Sequence, residues 1–243
     1  MQVFERGSDS SAARLLFVHG WQGDHTVWEG VINALGPQYR CVAVDLPGFG
    51  ASRDAGGPYT LERFAAGLLE VIEERALAPV VVVGHSMGAK IALRLAIDAP
   101  EAVSSLVLIA PVPATPADFS EKGAAGLRAT CGDPEAARKW LRRLFAGEPD
   151  PHALELVCAA AAQTPRDAGL ESFESWSNAD LSEAVRAMTA PAVVVAPESD
   201  NPEMQEQKVA ALLPNARFVV LPGAGHYAML EQPAEIAKIL SWV

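Results

Sequence analysis

The chain has 243 residues, 50% of them hydrophobic and 20% charged, with a formal net charge of -11 at pH 7. That composition fills one sizeable interior and excludes a disordered chain; at this length one large α/β domain is expected. The acidic balance, with no basic stripe to displace counterions from phosphates, argues against nucleic acid as a partner.

A first strand is expected over residues 14–18, running into the loop His19-Gly20-Trp21-Gln22-Gly23 and a helix over 28–35. A second, 40–44, leads into Asp45-Leu46-Pro47-Gly48-Phe49-Gly50-Ala51-Ser52 and a helix over 61–75. A third, 80–83, ends in Gly84-His85-Ser86-Met87-Gly88, with helical period over 87–98. A fourth strand, 105–109, precedes residues 111–189, a stretch of helical period with no convincing strand. A structureless loop of that length is improbable, and 134–145 and 151–162 have the apolar spacing of helices, so the stretch reads as a helical cap insertion. Strands over 192–196 and 217–221, a helix over 203–213 and an amphipathic helix over 233–242 complete the chain. Short aliphatic strands alternating with helices predict a mostly parallel central sheet with helices on both faces. The core is then residues 1–110 and 190–243, and the cap 111–189. The cap aromatics Phe119, Trp140, Phe145, Phe173 and Trp176 have two readings: an apolar acyl pocket, or packing of the cap onto the core.

Three cysteines, Cys41, Cys131 and Cys158, lack metal-ligand spacing and read as small buried hydrophobes in a reducing compartment. The first seven residues carry Glu5 and Arg6 and no apolar h-region, and no apolar run approaches the roughly 20 residues of a bilayer span. A cytoplasmic protein with no membrane partner is the expectation.

The chemistry concentrates at Ser86. A G-x-S-x-G sequence between a strand and a helix describes a sharp turn that lifts the serine hydroxyl above the carboxyl edge of a sheet, with the positive end of the following helix aimed at the site. A serine hydroxyl needs a base, and the base needs an acid to orient it. Of the five histidines, only His226 follows the last strand, in a glycine-rich loop that can carry an imidazole over the sheet edge. His85 sits inside the turn and is expected to point into packing; His19 belongs to the first loop and His152 to the cap. The acid is expected after strand 192–196, where Asp200 is preferred on its position in the loop and Glu198 competes. The backbone N–H groups of Trp21 and Met87 are the expected oxyanion donors.

Val18-His19-Gly20-Trp21, the Asp45 to Ser52 segment, Gly84-His85-Ser86-Met87-Gly88 and Gly223-Ala224-Gly225-His226 together resemble the α/β-hydrolase superfamily over nearly the whole chain. Within it the chain is similar to the compact bacterial group of carboxylesterases, pimeloyl-carrier-protein methyl ester esterases and enol-lactonases. Ala89 and Pro197-Glu198 stand where glycine, and glycine followed by an acid, are usual in that group. The resemblance implies hydrolysis of a small-molecule ester through an acyl-enzyme on Ser86, with no metal or organic cofactor. A serine at this turn argues against the family's dehalogenases and epoxide hydrolases, which use a carboxylate there. Two alternatives stay open on the same fold: a cofactor-free dioxygenase or lyase, and a ligand receptor with little turnover.

Overall fold

The computed structural model describes residues 1–7 and 13–243. One seven-stranded sheet runs through it: β1 (Gln2–Arg6), β2 (Ala13–Val18), β3 (Tyr39–Asp45), β4 (Val80–His85), β5 (Val103–Ile109), β6 (Ala192–Pro197) and β7 (Ala216–Leu221). Their spatial order is β1-β3-β2-β4-β5-β6-β7. All neighbours are parallel except β1, which lies antiparallel on β3 with Val3 opposite Val44. The six strands β2 to β7 match the expected ones to within two residues at either end. The sequence reading missed β1: its five residues, QVFER, bury neither face fully and lack the aliphatic run of the others. Pairing with β3 and the 2.6 Å ion pair from Glu5 to Arg40 hold it at the edge.

Successive strand residues point to opposite faces, and each face has its own apolar layer. Leu16, Val18, Val42, Val44, Val82 and Leu106 face α2 (Leu61–Glu74) and α3 (Met87–Asp98), after α1 (Glu29–Leu35) in the chain. Leu15, Phe17, Ala43, Val83, Val107 and Val195 form the other layer, against which α1 packs.

Five helices connect β5 to β6: α4 (Glu121–Thr130), α5 (Pro134–Arg142), α6 (Pro151–Gln163), α7 (Arg166–Asn178) and α8 (Ser182–Arg186). Asp133 and Asp150 cap α5 and α6, each accepting from two backbone N–H groups of the first turn. The remaining helices are α9 (Pro202–Lys208), α10 (Ala228–Glu231) and α11 (Pro233–Leu240). Helix α9 stops short of the expected residue 213. The Lys208 carbonyl, which a continuing helix would give to Leu212, instead accepts from Ala114 N–H at 3.1 Å, and Pro214 disfavours helical backbone at Leu213. No helix among the described residues is long and apolar enough to cross a membrane.

A lysine ties the connecting helices to the sheet layer. Lys90, on α3, is 1% exposed, and its Nζ donates to the carbonyls of Thr115, Trp176 and Ala179 at 3.0, 2.9 and 2.6 Å. Burial brings its pKa down to about 8.

Candidate active site

At the end of β4 the chain reverses into α3 through Ser86, whose φ of 54° is a left-handed value that a non-glycine residue adopts only under constraint. The flanking glycines are dictated by contact. A Cβ on Gly84 would lie 2.5 Å from the Gly88 carbonyl oxygen, and one on Gly88 would lie 2.4 Å from that of Val18. Ala89 is fully buried behind the turn, so its methyl is accommodated where glycine is usual. Ser86 N–H donates to Ile109 O at 3.0 Å, tying the turn to β5.

His226 comes from the loop after β7 and Asp200 from the loop after β6. Asp200 Oδ2 lies 2.8 Å from His226 Nδ1. A carboxylate oxygen accepts here, so Nδ1 is the donor of this bond and Nε2 has no hydrogen-bond partner among the described residues. Glu198 faces elsewhere, its Oε2 accepting from Gly223 N–H at 2.8 Å. The loop register follows from two main-chain bonds, Glu198 N–H to Leu221 O and Ser199 N–H to Ala224 O, both 3.0 Å, which continue the β6–β7 ladder.

The His226 main chain is held on both sides. Its N–H donates to Leu144 O at 2.7 Å, and its carbonyl accepts from His85 Nε2 at 2.9 Å. His85 is therefore not merely packed, as its place in the turn suggested: burial, with the neighbouring His226, holds its pKa well below the usual imidazole value, so it is a neutral donor. Glu231 accepts from Gly225 N–H and from Ala146 N–H, both at 3.0 Å, clamping the histidine loop to the turn after α5. Sequence reasoning missed Glu231; the carboxylate reaches 85 residues back to Ala146, and no local pattern encodes that.

Met87 follows Ser86 directly in the chain, and Trp21, in the loop after β2, lines the same cavity as Ser86. Neither backbone N–H has an acceptor within the protein among the described residues. The Trp21 indole donates to Gly169 O at 2.9 Å, which anchors the first loop to α7.

A second Asp–His pair joins the end of β3 to the segment after β2. Asp45 is fully buried, and its carboxylate accepts from His25 Nδ1 at 3.0 Å, His25 N–H at 2.7 Å and Ala51 N–H at 2.7 Å. Burial alone would raise its pKa, but the His25 bond and the two amide bonds outweigh it and leave the value lowered. Beside it, His19 Nε2 accepts from Leu46 N–H at 3.1 Å while Nδ1 donates to Gly20 O at 2.8 Å, so that ring is committed at both nitrogens.

Ser86, Asp200 and His226 line one cavity of about 390 Å³. Of the cap aromatics, Phe119, Trp140 and Trp176 are on its wall. Phe145 and Phe173 are packing residues, against Tyr227 and against Trp21 and Trp176 respectively. Cys41, Cys131 and Cys158 are all buried and unpaired. Among the described residues no three His, Cys, Asp or Glu side chains cluster as metal ligands.

A model of the alpha/beta hydrolase family matches residues 15–239. The pimeloyl-[acyl-carrier protein] methyl ester esterase of Nitrosomonas europaea is 30% identical, over 92% of this chain and 92% of its own. An esterase structure from Exiguobacterium antarcticum superimposes with a TM-score of 0.90 at 22% identity, covering 99% of this chain and 93% of its own. The enol-lactonase of Burkholderia xenovorans gives 0.88 at 21%, over 99% and 94%. At these identities the two structures establish the shared fold.

Proposed function

The chain belongs to the alpha/beta hydrolase family, and from that we propose that it hydrolyses carboxylic esters of small molecules through an acyl-enzyme on Ser86. His226 is the general base, Asp200 its orienting acid, and the Trp21 and Met87 N–H groups form the oxyanion hole. The observation that carries this reading is the 2.8 Å contact from Asp200 to His226 Nδ1 in the same cavity as a serine at φ 54°. It leaves Nε2 as the nitrogen able to take a proton.

In the reaction Ser86 Oγ attacks the ester carbonyl carbon as His226 Nε2 takes the hydroxyl proton. The carbonyl oxygen becomes an oxyanion that accepts from the two free amides, a donor pair whose members are typically worth about 3 kcal/mol each in the transition state. Collapse breaks the bond to the alkoxy group, which leaves as alcohol with the proton from His226. Water, deprotonated by the same nitrogen, then attacks the acyl-enzyme and releases the acid.

Residues 111–189 act as the cap that shapes the acyl site. A cavity of about 390 Å³ with Phe119, Trp140 and Trp176 on its wall suits an apolar acyl group. The relatives named as methyl ester esterases support an ester as the substrate class.

The test is release of nitrophenolate from p-nitrophenyl esters running from acetate to decanoate, by the unaltered protein and by Ser86→Ala. Turnover that falls at least about ten-thousandfold in Ser86→Ala is expected. No turnover of any ester in the series by the unaltered protein overturns the esterase reading.

A further inference from the structure

An acid that orients a histidine must itself be held, and a loop aspartate has a rotatable χ1 and χ2. Asp200 follows a turn closed by its own N–H on Pro197 O at 3.0 Å, and Asn201 after it has a left-handed φ of 52°. Main-chain bonds fix where the loop lies but not where the carboxylate points. Gln205, one turn into α9, supplies that restraint. Its Nε2 lies 2.7 Å from the Asp200 carbonyl oxygen and 3.0 Å from Oδ2, the same oxygen that accepts from His226.

The orientation of the Gln205 amide is set by chemistry. Both neighbours of Nε2 are acceptors, so exchanging the amide nitrogen and oxygen would put Oε1 against two oxygens. The side chain is 1% exposed, and Oε1 has no hydrogen-bond partner among the described residues. A buried acceptor without a partner costs stability that an apolar side chain of similar length would avoid. What the amide adds in exchange is two donor bonds to Asp200.

We propose that Gln205 is a positioning residue for the triad acid, holding the Asp200 carboxylate so that Oδ2 faces His226 Nδ1 throughout the reaction. The inference rests on Asp200 being that acid. Gln205 also lines the cavity, so a lower rate in one variant does not separate positioning from pocket shape. A double-mutant cycle does, because a residue acting through Asp200 loses its effect once Asp200 can no longer act.

The experiment compares Gln205→Met in the unaltered enzyme and in Asp200→Asn, with p-nitrophenyl butyrate as probe and kcat and KM measured separately. Gln205→Asn, whose amide is one methylene too short to reach, is read in the same cycle and carries the test if the methionine variant does not fold. Removing hydrogen bonds to a charged group is expected to lower kcat about tenfold with Asp200 present and less than about twofold in Asp200→Asn. The low-field Nδ1 proton resonance of His226 should broaden or move upfield in both Gln205 variants. Equal losses in the two backgrounds, or no loss in either, overturn the proposal. If Asp200→Asn itself keeps nearly full activity, the acid assignment fails and the role of Gln205 with it. A large Asp200 effect without a Gln205 effect overturns only the present inference.

Discussion

Asp45, the last residue of β3, and His25, in the segment after β2, lie 3.0 Å apart, and Asp200 and His226 lie 2.8 Å apart beyond β6 and β7. The two pairs use the same atoms in the same contact, yet their surroundings differ in kind. Asp45 is fully buried and also takes two backbone amides, while the His25 ring stacks on Phe4 with centroids 3.3 Å apart. The three bonds to Asp45 tie the segments after β2 and β3 to the sheet. Asp200 and His226 keep side-chain exposures of 23% and 16% and line the cavity that holds Ser86. An Asp–His contact alone therefore does not mark a catalytic site; what separates the two is that His226 shares a cavity with a serine, whereas His25, stacked on Phe4, does not line it.

The largest effect that would break this contrast is at Asp200. Asp200→Asn should lower kcat/KM by about a thousandfold or more while the protein stays folded, since the imidazole loses its tautomer and its counter-charge. Asp45→Asn should do the reverse. Losing charge-assisted bonds to three donors is expected to cost about 2 kcal/mol or more in urea unfolding, with kcat/KM of the folded enzyme within about threefold. Swapped outcomes would mean that the wrong pair has been placed at the chemistry.

How far these sites can be read from sequence follows the range of the forces that build them. The turn at Ser86 is legible because its pattern lies in five consecutive residues, where a Cβ on Gly84 would meet the Gly88 carbonyl at 2.5 Å, even though the contact that excludes one on Gly88 is with Val18 of β2. The inner strands are legible because burial on both faces demands continuous aliphatic runs. Choosing Asp200 over Glu198 is a different matter: bonds to Leu221 and Ala224, more than twenty residues away, set the loop register. The same holds for β1, an edge strand defined by its partner, and for the cap aromatics, three of which reach the cavity and two of which pack. Helical period places them on helices but cannot say which face meets the sheet layer.

Lys90 sharpens the comparison from the side of pH. Its pKa is about 8 in the fold against 10.5 when exposed, so between those values the unfolded chain binds more protons and folding gains stability as pH rises. Below pH 8 the cost of burying the charge is fully present. The stability of the unaltered protein minus that of Lys90→Met, from urea unfolding, should therefore increase between pH 7 and pH 10 by on the order of 3 kcal/mol. A flat or falling difference would mean that the three carbonyls stabilise the charged amine fully. The smallest effect belongs to Glu198→Gln. Among the described residues its carboxylate accepts from Gly223 N–H alone, in an exposed bond, so activity within about twofold and stability within about 0.5 kcal/mol are expected.

The most direct test of the central claim is covalent capture. Treating the protein with diethyl p-nitrophenyl phosphate and mapping the adduct by peptide mass spectrometry should find one diethylphosphoryl group per chain, on Ser86, with ester turnover lost in step. Full ester turnover with Ser86 unlabelled, or an adduct on another residue that tracks the loss of activity, would contradict an acyl-enzyme at this serine.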